Sequence, residues 1–354
     1  MSDVTAVIDD LRDESAELDQ LVRELSPEQW SAPTPAPGWS IAHQIAHLTW
    51  TDGVALLAAT DPDAFAAETA KALEAPDTFV DVAARAIVAE ANAAAATAAE
   101  TSTAGAAGAG AGTAGAVPEV LLARWRDGRE RVQRMLRTAP AGTRIPWYGP
   151  PMSVATMATA RLMETWAHGQ DIADALGVTR VPTARLRHVA RIGVRARDYA
   201  YLVRGIEAPG EEFRVELEAP GGELIAYGPE GAAQRVTGPL LDFCLLVTQR
   251  AHRDDLAVRA TGPDADRWLD IAQAFAGPPG AGRAPRSETS AAAADAGRAP
   301  RSEGPGNGSA PRPDGLVTDA GRAPRPDGPA KSDAGRAPRP QAPGAAPAPR
   351  EERP

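Results

Sequence analysis

Cysteine, aromatic residues and long apolar runs are all scarce in this chain of 354 residues. The one cysteine, Cys244, excludes an internal disulfide framework and is typical of proteins from a reducing cytosol. No run of about 18 strongly apolar residues is present, so a membrane span is not expected. The formal charge of −10 opposes a surface that wraps nucleic acid. These absences predict a cytoplasmic protein that binds neither membranes nor nucleic acid.

Histidine is scarce as well, with five residues in the chain. One of them, His168, follows Glu164 by four positions in the run 153–176, whose apolar residues roughly follow the helical period. Ser153 is a suitable N-cap for such a helix, and Gly177 is a suitable stop. Side chains four apart project from one helix face. A carboxylate and an imidazole placed in this way can supply two ligands of a metal site.

A third ligand has to come from another histidine, and His47 is the best candidate. It lies in Ala46-His47-Leu48, where an imidazole on an apolar helix would face the interior of a bundle and would need a partner. Two alternatives stay open on spacing alone. His47 can be a core histidine bonded to a backbone carbonyl, and Glu164 and His168 can be an exposed pair that contributes a few tenths of a kcal/mol.

The periodicity changes along the chain. Helical patterns cover residues 2–25, a stretch that opens at Ser40, residues 63–100, a stretch after Pro118, residues 153–176 and residues 183–203. After residue 210 a period of two indicates a hairpin turning at Gly221-Gly222, followed by a strand near Val236, a helix over 240–251, a strand over 256–260 and a closing helix over 264–275. The chain therefore predicts an α+β fold.

Two low-complexity segments interrupt or follow this pattern. Residues 92–116 consist mostly of Ala, Thr and Gly, and we interpret them as an insert whose start can prolong a helix and whose end is a loop. From residue 278 to residue 354 no periodicity remains, and Gly-Arg-Ala-Pro-Arg recurs at 282–286, 297–301, 321–325 and 335–339. Such a composition cannot bury a core, so residues 278–354 are predicted to be disordered.

Three motifs in order resemble a known family: Pro37-Gly38-Trp39, Ala46-His47-Leu48 and Arg161-x-x-Glu164-x-x-x-His168-x-x-Asp171. Together they are similar to the DinB-like metal-binding superfamily, in the branch of mycothiol-dependent maleylpyruvate isomerase and actinobacterial relatives of unassigned function. The resemblance covers about residues 3–277. It implies a four-helix bundle over residues 1–205, which holds a divalent metal, in most members zinc, through His47, Glu164 and His168.

The C-terminal motifs carry a second part of the resemblance. Val236-Thr-Gly238, the run from Asp242 to Arg250, and Val258-Arg-Ala-Thr-Gly262 are similar to the sterol-carrier-like α+β domain that follows the bundle, here residues 206–277. The insert and the tail depart from the family pattern. So does Gln249, because relatives tend to have Gly-Arg where this chain has Gln249-Arg250.

Further residues have expected places around the metal. His43 and Asp171 are expected to support the ligands without binding the ion, although Asp171 can also be a surface carboxylate. Four residues are candidates for lining a substrate pocket: Trp39, Trp147, Tyr148 and Arg250. Core packing is the commoner use of such aromatics. Cys244 is predicted to be an inert core residue, and His188 and His252, which lie among arginines, are predicted to be exposed.

Three protein ligands leave open positions on a metal, which is typical of a catalytic zinc site. Such a metal can hold a thiol as its thiolate, and the resemblance implies that mycothiol is this small-molecule thiol. The hypothesis is a thiol-dependent isomerase or S-transferase that acts on an electrophilic substrate. Two alternatives remain: a metal-dependent hydrolase that activates water, and a non-catalytic protein in which the metal stabilises the bundle and a small molecule is bound elsewhere. No residue outside the triad is placed as a general base, so the sequence leaves the reaction type open.

Overall fold

The computed structural model describes residues 4–103, 116–280 and 282–288. The glycine-rich end of the insert and the predicted disorder beyond residue 288 lie outside the described residues. The helices are α1 (Val4–Val22), α2 (Pro27–Trp30), α3 (Ile41–Thr60), α4 (Pro62–Glu74), α5 (Phe79–Thr103), α6 (Ala116–Thr138), α7 (Val154–Leu176), α8 (Leu186–Arg195), α9 (Arg197–Leu202), α10 (Leu240–Val247) and α11 (Pro263–Ile271). The strands are β1 (Arg144–Ile145), β2 (Met152–Ser153), β3 (Arg214–Glu218), β4 (Leu224–Tyr227), β5 (Arg235–Pro239) and β6 (Arg259–Thr261).

The long helices pack side by side in the N-terminal half. Helix α3 lies against α5, α6 and α7, and α1 lies against α6 and α7. The first helix is amphipathic and buries one stripe that includes Val7, Leu11 and Leu18. The packing of α3 against α7 positions the candidate site, because His47 belongs to the first of these helices and the Glu164/His168 pair to the second.

Several predicted elements differ from the structure in their bounds; α10 and α11, for example, end four residues before the predicted 251 and 275. The helical pattern over 63–100 breaks into α4 and α5, with Ala75 at the C-cap of α4 in a non-helical conformation. The pattern over 183–203 splits into α8 and α9 at Ala196. The segment 143–152, which precedes the helical pattern over 153–176, contributes a two-stranded antiparallel ribbon, in which Ile145 pairs with Met152. Helical periodicity identified the helices here, and their ends depended on backbone conformations that periodicity does not specify.

The C-terminal half contains a four-stranded sheet in the order β4-β3-β5-β6. The predicted hairpin is present, since β3 pairs antiparallel with β4, and Gly222 in the connecting turn has φ +81°. Strand β5 runs parallel to β3, and β6 pairs antiparallel with β5. The structure is thus mostly helical with two small sheets, which agrees with the α+β prediction at that level.

One hydrophobic cluster joins the two halves. It runs from Met157 and Trp166 on α7, through Val189 on α8, to Val215 and Trp268 in the C-terminal half. The domain boundary near residue 205 therefore stays a prediction. Within the described residues, no helix combines the length and the apolar character needed to cross a bilayer.

Candidate metal centre

The three candidate ligands lie together between α3 and α7. His47 Nε2 is 3.2 Å from Glu164 Oε2, and His168 Nε2 is 3.3 Å from the same oxygen. One possible ligand atom from each residue lies within 4.8 Å of the other two. Ligand atoms about 2.0–2.1 Å from a tetrahedral zinc are about 3.3–3.4 Å apart. Both measured separations are close to this value.

Helix α7 carries two of the three candidate ligands, and both of its ends are capped. Ser153 Oγ accepts a hydrogen bond from the backbone N–H of Thr156 at 3.2 Å, as an N-cap should. Gly177 ends the helix in the left-handed region at φ +66°. Between these caps the four-residue spacing places Glu164 and His168 on one face. The sequence prediction for this helix is confirmed at both ends.

The site is nearly closed to solvent, and its charges follow from that burial. The Glu164 side chain is 21% exposed and that of His168 is 12% exposed. Burial alone would raise the pKa of Glu164, but the two imidazoles, whose Nε2 atoms lie 3.2 and 3.3 Å from its Oε2, hold the pKa well below its usual value. Burial, together with the charge of His47, lowers the pKa of His168 to about 4. At pH 7 Glu164 is therefore a carboxylate, and His168 is a neutral imidazole.

Gln44 determines which nitrogen of His168 carries the proton. The Thr34 hydroxyl donates to the backbone oxygen of Trp39 at 2.9 Å, so it accepts the 2.9 Å hydrogen bond from Gln44 Nε2. The amide oxygen of Gln44 consequently faces His168 Nδ1. Because an amide oxygen can only accept, Nδ1 of His168 carries the imidazole hydrogen.

This tautomer leaves an unfavourable contact in the site. A neutral imidazole that is protonated at Nδ1 presents a lone pair at Nε2, and this lone pair faces the Glu164 carboxylate oxygen at 3.3 Å. No hydrogen lies between these two electron-rich atoms. A cation between them would turn the repulsion into coordination, so His47, Glu164 and His168 fit a divalent metal.

Gln44 was not among the residues singled out in the sequence. It is fully buried and lies three residues before His47 on the same helix. A fully buried amide needs partners, and a glutamine within the apolar run 41–48 was the available signal. The pairing with His168, 124 residues away, depends on the packing of α3 against α7.

The surroundings of His47 are aromatic. Its ring centroid is 5.4 Å from Trp39 and 5.7 Å from Trp50. Trp39 also stacks on the His168 ring at 6.0 Å and is held by a 2.9 Å hydrogen bond from its Nε1 to Asp81. His47 Nδ1 is buried and has no hydrogen-bond partner in the described part of the chain.

The two residues expected to support the ligands have other partners. His43 Nδ1 accepts from the backbone N–H of Ser40 at 3.2 Å and thereby caps α3. Asp171 is 3% exposed, so it is not a surface carboxylate. Its oxygens accept from Arg250 Nη2 at 2.8 Å and from Arg283 Nη2 at 2.7 Å. His168 is oriented by the hydrogen bond from its Nδ1 to Gln44 Oε1, and Asp171 takes no part in that bond.

The candidate pocket residues occupy two places. Trp39 lies over the histidine rings, and Arg250 lies beside Asp171. Trp147 and Tyr148 belong to a separate aromatic cluster with Phe65, in which ring centroids are 5.3 to 6.1 Å apart. Phe79 contacts Tyr148 at 6.0 Å and Trp50 at 5.3 Å. Trp50 and Phe79 therefore connect this second cluster to His47 by successive ring contacts.

The prediction for His188 is wrong. This residue is buried, and its Nε2 is 2.7 Å from Asp10 Oδ2, which joins α8 to α1. Arginine neighbours in the sequence suggested exposure, but its helix turns it inward. His252 is partly exposed. The prediction for Cys244 is confirmed, because the thiol is fully buried and burial raises its pKa well above the usual value.

Comparison with known proteins gives two family matches. Residues 11–173 match the family described as mycothiol maleylpyruvate isomerase N-terminal domain, and residues 209–261 match the one described as wyosine base formation. Uncharacterized proteins from two strains of Mycobacterium tuberculosis are 50% identical over 283 residues, which is 80% of this chain and 100% of theirs.

Two solved structures are also similar. The crystal structure of the mycothiol-dependent maleylpyruvate isomerase has a TM-score of 0.45 and 12% sequence identity, covering 74% of this chain and 96% of that one. A histidine-to-alanine mutant of it has a TM-score of 0.45 and 13% identity over the same shares. From the family match and the mycobacterial relatives, the chain belongs to the mycothiol maleylpyruvate isomerase N-terminal domain family.

Proposed function

We propose that this protein binds one divalent metal, preferably zinc, through His47, Glu164 and His168, and acts as a thiol-dependent isomerase or S-transferase. The observation that carries the proposal is the His168 Nε2 lone pair aimed at the Glu164 carboxylate, held there by Gln44. Two imidazole nitrogens and one carboxylate oxygen are a donor set that suits zinc. The three side chains leave at least one tetrahedral position open.

The charges of the site favour an anionic ligand. Two neutral imidazoles and one carboxylate leave a divalent cation with one uncompensated positive charge. A bound metal would hold a low-molecular-weight thiol as its thiolate near neutral pH. The family name points to mycothiol as that thiol. Trp39, which stacks over His168, would form one wall of the thiol site and exclude water from it.

Arg250 is the candidate for recognising an acidic electrophile. Its guanidinium lies close enough to His168 for its charge to lower the pKa of that imidazole. Its Nε is buried and has no hydrogen-bond partner in the described part of the chain. A substrate carboxylate would supply the missing acceptor. After the thiol sulfur adds to the electrophilic carbon, an isomerase expels the thiol again and a transferase keeps it.

The first test combines metal analysis with thiol titration. Elemental analysis of the purified protein should find about one divalent metal per chain, and a thiol should perturb the spectrum of the cobalt-substituted form. Calorimetry from about pH 6.5 to about 8, in buffers of different ionisation enthalpy, should count close to one proton released per thiol bound. In this range a free thiol of pKa about 8.5 is mostly protonated, whereas the bound form is the thiolate.

His168→Ala is the control, since it should lose both the metal and the thiol response. Thiol binding without proton release, or binding that is unchanged in His168→Ala, would refute the thiolate mechanism. The metal-dependent hydrolase stays a competing assignment only if the metal-loaded protein does not bind thiols.

A second candidate function concerns the C-terminal half, which we propose to be sterol-carrier-like. A cavity of about 320 Å³ is lined there by apolar side chains that include Val194, Phe213 and Trp268, and by four charged ones, Arg195, Arg197, Asp198 and Glu212. Trp268 Nε1 is buried and has no partner in the described part of the chain. A small amphipathic molecule with an acceptor atom for Trp268 would suit this cavity. In this case binding should not depend on metal or on pH, and Trp268→Phe should weaken it.

A further inference from the structure

A segment beyond α11 reaches the neighbourhood of the candidate metal centre. Its described residues, 276–280 and 282–288, include the first Gly-Arg-Ala-Pro-Arg repeat and lie outside both family matches. The backbone N–H of Gly277 donates to the Tyr199 hydroxyl at 2.9 Å, and that of Arg286 donates to Asp255 at 3.0 Å. This part of the predicted disordered tail therefore packs on the folded chain.

Arg283 is the residue of this segment that reaches α7. Its Nη1 donates to Asp174 Oδ2 at 2.5 Å, and its Nη2 donates to Asp171 Oδ1 at 2.7 Å. Asp171 lies one helical turn beyond His168. The guanidinium thus bridges two carboxylates on one face of α7, and the fork geometry of arginine suits this arrangement.

Arg250 shares the Asp171 carboxylate with Arg283. Arg250 Nη2 donates to Asp171 Oδ2 at 2.8 Å, and its Nη1 donates to the backbone oxygen of Thr248 at 2.6 Å. Its third donor, Nε, is the buried one without a partner in the described residues. Asp171 accordingly uses one oxygen for each arginine.

In this arrangement Arg250 contacts one oxygen of Asp171 and Arg283 contacts the other. An arginine beside a free carboxylate tends to bind it through two parallel hydrogen bonds, here from Nε and Nη2. Arg283 already occupies Oδ1. With Asp171 held in this orientation, Arg250 meets it through Oδ2, and Arg250 Nε has no acceptor in the described residues.

We propose that Arg283 is a positioning residue: it holds the Asp171 carboxylate in the orientation that binds Nη2 of Arg250 and leaves Nε of Arg250 for a substrate carboxylate. The inference rests on the proposed function, because it assigns the substrate's anionic group to Arg250. It adds a contribution from a segment that lies outside both family matches.

The test measures the binding of maleate, a small dicarboxylate, to the zinc-loaded full chain by calorimetry. Arg250→Gln should weaken maleate binding about tenfold or more, as expected for the loss of a charge-assisted hydrogen bond. Arg283→Gln should weaken it by a similar factor while zinc content stays close to that of the unmodified chain. Arg283→Lys should recover most of the affinity, because a lysine can still donate to Asp171 Oδ1.

Arg286→Gln is the matched control, since it removes the same charge from the same segment and should change affinity less than twofold. An equal loss in Arg286→Gln would show a general charge effect and overturn the inference. Normal binding in Arg283→Gln with weak binding in Arg250→Gln would also overturn it, and would leave the proposed function in place. Normal binding in Arg250→Gln would instead remove the carboxylate site from the proposed function, and the inference with it.

Discussion

The helical half contains two clusters of charged and titratable side chains that differ in how well their members satisfy one another. The first, called here the Glu14 cluster, consists of Glu14, Glu17, Arg180 and Arg185 and joins α1 to the segment after α7. Both oxygens of Glu14 and both oxygens of Glu17 accept hydrogen bonds from guanidinium groups. Two positive and two negative charges balance, so the cluster is complete without any ligand.

The second cluster is the triad of His47, Glu164 and His168, and it is incomplete. One carboxylate oxygen faces two imidazole nitrogens, and one of these nitrogens presents a lone pair. The buried Nδ1 of His47 has no partner in the described residues. The comparison shows that burial of charge alone does not indicate a functional site. A cluster whose members satisfy one another stabilises the fold, and one that sets a lone pair against a carboxylate indicates a ligand.

The largest expected effect is on the incomplete cluster. His168→Ala or His47→Ala should abolish tight metal binding, because two remaining protein ligands hold zinc poorly. His43→Ala is the control and should keep the metal, since His43 bonds Ser40. Elemental analysis after dialysis measures the metal content of each variant and so distinguishes ligands from non-ligands. Loss of metal in His43→Ala with retention in His47→Ala would assign the third ligand to His43 and contradict the role given to His47.

The second effect is on the complete cluster and changes stability without changing metal binding. Glu14 is 1% exposed, and Glu14→Gln leaves Arg180 and Arg185 with one carboxylate between them. Removing one partner of a buried ion pair costs about 3–5 kcal/mol of unfolding free energy. Denaturant unfolding measures this loss, and the folded variant should still contain one metal per chain. A variant that kept its stability but lost metal would reverse the assignment of the two clusters.

The third effect tests the support of the incomplete cluster. Gln44→Ala removes the acceptor that holds His168 in the Nδ1–H tautomer. Loss of such an orienting partner lowers metal affinity about 10- to 100-fold. Gln170→Ala is a matched control on α7, because Gln170 bonds Asp174. Competition with a chelating dye gives both affinities, and equal values for the two variants would contradict the role given to Gln44.

The fourth effect appears in the metal-free chain on acidification. The pKa of His168 is about 4 in the folded state, against about 6.5 in an unfolded chain. Between these values the unfolded chain binds a proton that the folded chain does not, so stability must fall as pH falls from about 6.5 toward 4. The loss is at most about 1.4 kcal/mol per pH unit. Unfolding curves at pH 7 and 5.5 should show a smaller difference in His168→Gln, and an equal difference would contradict the lowered pKa.

The smallest effect concerns the residue beside Arg250. Gln249 has φ +60° at the end of α10 and is the one non-glycine residue with positive φ in the described chain. A side chain in this conformation costs about 1 kcal/mol, so Gln249→Gly should stabilise the fold by about that amount. Thr248→Gly, at a residue with φ −94°, should destabilise it. Thermal unfolding distinguishes the two, and a lower melting temperature for Gln249→Gly would show that the Gln249 side chain makes compensating contacts.

Local patterns predicted much of the helical half. The capped run 153–176 became α7 with the expected ends, and the spacing of Glu164 and His168 placed both on one face. The hairpin at Gly221-Gly222 also formed as predicted. These features depend on contacts within a few residues, and periodicity, caps and turn residues encode such contacts directly.

Partnerships between distant elements could not be predicted in the same way. The sequence predicted that Asp171 would orient His168, but in the structure Gln44 accepts the hydrogen bond from His168. Asp171 instead accepts hydrogen bonds from Arg250 and Arg283. It also buried His188 against Asp10. Hydrogen-bond partners across helices depend on the rotation and depth at which the helices pack, and no local pattern reports either.

The sequence by itself determined which residue types were available for a metal and that two of them share a helix face, because an α-helix converts a four-residue spacing into proximity. The tertiary structure decided that His47 joins them, that His168 presents its Nε2 lone pair to Glu164, and that a C-terminal arginine shares Asp171 with Arg250. Each of these depends on side chains more than 100 residues apart meeting in a buried site. There an unpaired polar atom is costly, so the identity of each partner decides the chemistry.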